Sequence, residues 1–255
     1  MKPFRTAVCL SVLLVGWCQA ASAQSQFAIV FDLYSPPEAL RKVTKDALDT
    51  PFGKAMLAGF AEAVAKTADS ACLSSRKLDS ATLADRGRDI FQRYGTSMLA
   101  TFARMVDRKA YRTALSARGG RNAAAELDRL TKHPDIVRLM EIVRPARLAT
   151  VATLLFENFD RYNLITRGTF PPLSPYSNES LAAQDPTDAA MKEGLQFIES
   201  RDSPELRRFV DLSFISREAK RTSENRSRVM ASGPADWFRG VDKDLAALCV
   251  PRTSR

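Results

Sequence analysis

Between His133 and Gly168, apolar residues return every three or four positions: Ile136, Leu139, Met140, Val143, Leu148, Val151, Leu154, Leu155, Phe159 and Tyr162. A period of 3.6 residues gathers them on one broad side of a helix. From Ala146 to Phe156 the only charged residue is Arg147. A stripe this wide cannot face water and must be covered by other elements. The pattern predicts a central apolar helix over about 134–167. Pro134 falls in its first turn, where a missing N–H costs nothing, while Pro145 lies inside and should kink the helix or divide it in two.

The same period recurs along most of the chain. A first helix is predicted over 38–48, after Pro36-Pro37, and a second over 51–73, with Phe52, Met56, Phe60 and Val64 on its apolar face. Asp79 or Ser80 caps a long third helix. It carries Leu83, Ile90, Phe91, Tyr94, Met98, Leu99 and Phe102, and the pattern extends through Tyr111 and Leu115 to Gly119-Gly120. Gly95 inside it marks a bend or a close helix crossing. Further helices are predicted over 122–132, 187–200, 203–222 and 235–248. Only Phe27 to Leu33 alternates as a strand would, and with no convincing partner it reads as an extended arm over 24–35. The interval 169–187 holds Pro171, Pro172, Pro175 and Pro186 among serines and asparagines, which predicts a mobile loop. The expected fold class is therefore all-α: an irregular bundle of about seven helices around the central one, in a single domain over 24–255.

The N-terminus changes the picture of where the chain works. Lys2 and Arg5 precede an apolar run from Ala7 to Trp17, followed by Ala21-Ser22-Ala23. This three-part pattern is that of a secretory signal peptide over 1–23, and its apolar run is too short to span a bilayer. The expected location is an exported compartment, taken as the periplasm, with no transmembrane segment after cleavage. Cys9 and Cys18 leave with the leader, so Cys72 and Cys249 remain. Two cysteines in an exported chain predict one disulfide.

The whole chain carries a formal charge of +9. The leader removes two cations and no acid, leaving +7. Basic and acidic residues are interspersed, and no aromatic residues interleave with Lys220, Arg221, Arg226 and Arg228 to stack on bases. Nucleic acid is not expected as a partner. Binding of an acidic envelope polymer through the net charge is a secondary expectation, with strong salt dependence.

Candidate chemistry is sparse. The single histidine, His133, has no cysteine at ligand spacing, so neither a metal nor a cofactor is expected. Ser74-Ser75-Arg76-Lys77 and Tyr176-Ser177-Asn178 resemble the Ser-x-x-Lys and Tyr-x-Asn fragments of serine β-lactamases and penicillin-binding proteins. The Lys-Thr-Gly of that family is missing, and the match is set aside. The polar set that follows the apolar centre is more telling: Glu157, Asn158, Asp160, Arg161 and Asn163. These residues are the candidate ligand-binding site, at the mouth of any cavity in the bundle and under the 169–187 segment. No catalytic residue is assigned. The leading expectation is a non-enzymatic, exported binding or envelope-associated interaction protein, with a small apolar ligand or an envelope component as its occupant. The alternative is a hydrolase or lyase working through Glu157, Asp160 and Arg161.

Overall fold

The structure is a computed structural model and describes residues 37–166, 170–224 and 237–251. The expected leader (1–23) and arm (24–35) lie outside these residues. Among the described residues there are helices and no strand; the one isolated bridge joins Val106 and Glu224. The all-α expectation holds.

Helix α1 (Pro37–Asp49) turns sharply into α2 (Pro51–Thr67). Thr50 makes the corner. Its hydroxyl donates to the Ala47 carbonyl at 2.7 Å and accepts from the Gly53 amide at 2.9 Å. Gly53 has no room for a side chain: an added Cβ would fall on the Ala47 carbonyl oxygen and lie 2.8 Å from Leu48 Cα. Because the obstruction is backbone, Gly53→Ala is expected to destabilise by about 1–3 kcal/mol, towards the upper end. A shift of the urea midpoint at unchanged slope checks this, and an unshifted midpoint would show that the corner can open.

The predicted second helix is two. It stops at Thr67, and Asp69 restarts the chain as α3 (Ser70–Ser75) by accepting the amides of Ala71 and Cys72. The predicted third helix also divides. Helix α4 (Ser80–Met105) ends at Val106, and Asp107 caps α5 (Arg108–Gly119) through the Ala110 amide. In both places an aspartate within a continuous apolar period proves to be a cap. Helix α6 (Ala123–Leu130) precedes the expected central helix, which consists of α7 (Pro134–Ile142) and α8 (Arg144–Thr166). The division falls at Val143. Pro145 sits in the first turn of α8, where it needs no partner for its nitrogen.

Two buried clusters result. The larger joins α1, α2, α4 and α8 with Phe170, Leu173 and Leu181, and with residues from Trp237 to Val250. The smaller joins α5, α6 and α7 with α11 (Pro204–Thr222) through Tyr111, Leu115, Leu130, Ile136, Leu139, Leu206 and Leu212. The break at Val143 thus lets one apolar period serve two cores. Helix α10 (Thr187–Ser200) lies against both α7 and α8, with Gly194 facing Val143 and Leu139. Gly95 marks a close crossing: a Cβ there would lie 2.5 Å from Leu155 Cδ2 and 2.9 Å from Thr44 Cγ2.

The C-terminal helix α12 (Val241–Ala247) is fastened from several sides. Asp244 accepts the Tyr94 hydroxyl at 2.7 Å and pairs with Arg93 at 3.1 Å. Asp242 accepts the Tyr162 hydroxyl at 3.1 Å. Cys72 and Cys249 form the expected disulfide, with Cα atoms 5.8 Å apart. Beside it the Asp69 amide donates to the Cys249 carbonyl, and Arg76 donates to the Ala247 carbonyl. Cys249 itself has φ +64°. The Val250 amide reaches back to the Leu245 carbonyl and the Cys249 amide to that of Ala246. That is the helix-ending turn in which glycine usually takes the left-handed position. Lys77, at φ 54°, closes α3 in the same way.

Candidate functional site

The five predicted site residues all lie on α8, but they do different things. Asn158 is buried, and its amide donates to the Leu154 carbonyl one turn back at 2.8 Å. Arg161 is exposed. Asp160 binds the chain that crosses in front of it: its two oxygens accept the amides of Leu173 and Ser174, each at 2.8 Å. Its carboxyl titrates above the usual range, because burial outweighs those two amide donors.

Asp160 thereby organises the proline-rich segment. Residues 167–169 lie outside those described. Beyond them the chain carries a short 3₁₀ turn (Pro175–Ser177) and helix α9 (Glu179–Ala182). Asn178 caps α9 by accepting the Leu181 amide. Phe170, Leu173 and Leu181 enter the larger core. A stretch that composition presents as irregular therefore contributes three apolar side chains to the larger core, with one carboxylate holding its backbone.

Glu157 and Asn163 remain. Glu157 is half-buried, and its Oε2 is enclosed without a hydrogen-bond partner. Burial raises its carboxyl above the usual range; Arg161 opposes the shift and Asp160 adds to it. Asn163 is only 3% exposed, and both of its amide atoms lack a partner. One further residue belongs with them. Thr153 is buried with its hydroxyl unpartnered. Thr153, Glu157, Asp160 and Asn163 follow one another at steps of four, three and three, which places them along one side of the helix. The sequence gives Thr153 no prominence, since threonine is common inside helices and usually bonds the carbonyl four residues back.

The direction of the Glu157 shift sets a pH dependence. A carboxyl whose folded value is raised favours the folded state below its unfolded value, near 4.3, and loses that contribution as pH rises through the folded value. Glu157→Gln is therefore expected to raise the melting temperature near pH 7, with the gain shrinking towards pH 4. Melting curves of both proteins across that range check the sign, and a gain that grows on acidification would reverse it.

The chain matches no family model, and no curated protein or solved structure is significantly similar to it. The site is read from its geometry. Among the described residues no group of three or more histidine, cysteine, aspartate or glutamate side chains is placed to hold a metal ion. Among the same residues no helix is long and apolar enough to cross a membrane. The row on α8 offers a carboxyl held towards its neutral form, an amide with both donor and acceptor open, and a hydroxyl. Such groups recognise a polar partner by hydrogen bonding.

Proposed function

We propose that this is an exported, non-enzymatic helical binding protein whose ligand is recognised by the polar row of α8, with Asn163 and Glu157 as the principal contacts. The observation that carries the reading is Asn163, buried with both amide atoms unpartnered. Each such group costs about 1–3 kcal/mol in a folded interior. Local costs of this kind are tolerated chiefly where function needs them. The ligand class is a small molecule offering both donors and acceptors. The signal-like leader supports export, and the disulfide fits an oxidising compartment. Binding is favoured over hydrolase or lyase chemistry because Asp160 is engaged by two backbone amides and Arg161 is exposed.

Native mass spectrometry of the protein purified from its expression host tests this reading. A retained mass that vanishes on denaturation is expected. Asn163→Leu should lose it while melting at a higher temperature, since the substitution removes an unsatisfied buried group. An occupant retained equally by the variant would overturn the assignment. So would substrate turnover that point changes at Glu157 abolish.

A further inference from the structure

At its other end α8 meets α1 and α7. A groove of about 270 Å³ opens there, walled by Lys42, Val43 and Asp46 of α1, Met140 of α7, and Arg147 and Leu148 of α8. Its charges do not balance. Asp46 is the one acid in the wall and is already taken twice, by Lys42 at 2.6 Å and by Arg144 at 2.8 Å. Arg147 is half-buried, and no carboxylate among the described residues pairs with it. Burial alone acts on its guanidinium, depressing its proton affinity. The first turn of α8 also lacks an acidic residue, so two arginines stand at a helix end that favours anions. The rest of the wall is apolar: Val43, Met140 and Leu148, with Ala39 exposed at the rim.

We infer that this groove binds a small organic anion, its oxyanion head on Arg147 and a short aliphatic arm against Val43, Met140 and Leu148. Arginine suits the role because its planar fork meets a carboxylate with two parallel hydrogen bonds. The volume lies just below the range usual for drug-sized ligands, which limits the arm to a few carbons. This site is independent of the polar row, which lies two to four turns further along the same helix.

Calorimetric titration with acetate, butyrate and hexanoate, and with inorganic phosphate as a head without an arm, tests the proposal. Affinity should rise up to about fourfold per added methylene until the groove is filled. Arg147→Met should weaken hexanoate binding at least tenfold. Ala39→Trp changes only an exposed rim position and should block the arm. It serves as the second variant if Arg147→Met does not fold. Phosphate binding as tightly as hexanoate would overturn the organic-anion assignment. Failure of hexanoate to bind, or equal binding by the folded variants, would overturn the site itself.

Discussion

Replacing Phe159 by alanine is expected to lower the unfolding free energy by about 3–5 kcal/mol. Phe159 is fully buried, and its ring meets four others: Phe60 at 6.1 Å, Phe91 at 5.0 Å, Phe170 at 5.8 Å and Phe238 at 5.5 Å between centroids. Those rings come from α2, from α4, from the segment after α8 and from the C-terminal region. One side chain thus connects elements that are distant in sequence. Truncation removes apolar area and leaves a hole that four aromatic neighbours cannot fill without leaving their own partners. Chemical denaturation reads the loss directly. A loss under 1 kcal/mol would mean that the aromatic cluster repacks, and would remove Phe159 from the centre of the fold.

The second large effect concerns the disulfide. Cys72→Ser with Cys249→Ser is expected to cost about 2–5 kcal/mol. The bridge spans 177 residues, and a closed loop of that length restricts the unfolded chain strongly. The folded state loses something as well. Trp237, Phe238, Val241, Leu245, Leu248 and Val250 all contribute to the larger core, so fraying of the C-terminal end exposes apolar surface. The same loss should appear when the wild-type protein is unfolded in the presence of a reductant. Identical urea midpoints with and without reductant would show that Tyr94, Tyr162 and Arg93 hold the C-terminal helix unaided.

Much of this architecture was legible in the sequence. The all-α class, the Cys72–Cys249 pair, the starts at Pro134, Asp79 and Ser203, and the apolar centre after Ala146 all follow from period, caps and cysteine arithmetic. The breaks at Asp69 and Asp107 did not, because an aspartate on a helix surface and an aspartate at a cap look alike until the fold shows which amides it accepts. The division of the central helix was signalled by Pro145 and falls two residues earlier, at Val143; what stayed hidden is that the two halves of one apolar period pack into different clusters.

The candidate site was partly legible. Glu157, Asp160 and Asn163 stand out because polar residues follow directly on an apolar run. Their separate roles depend on partners from elsewhere in the chain, as when Asp160 accepts the amides of Leu173 and Ser174. Asn158 and Asn163 are the same residue type five positions apart. One satisfies itself on its own helix and the other is left open, a distinction no local pattern encodes. Arg147 was conspicuous as a lone charge in an apolar stretch, but only the packing of α1 against α8 shows it to be unpaired in a groove.

The disulfide also imposes an order in time. A chain emerging N-terminus first presents Cys72 long before Cys249. At about 5–20 residues per second, the 177 residues between them take on the order of 10–30 s to be made. Throughout that interval the thiol of Cys72 has no native mate, and any other thiol or disulfide it meets competes for it. The helices that build most of the larger core are complete before Cys249 appears. The C-terminal helix is the last of the described helices to be synthesised, so the bond cannot form until nearly the whole chain has been made.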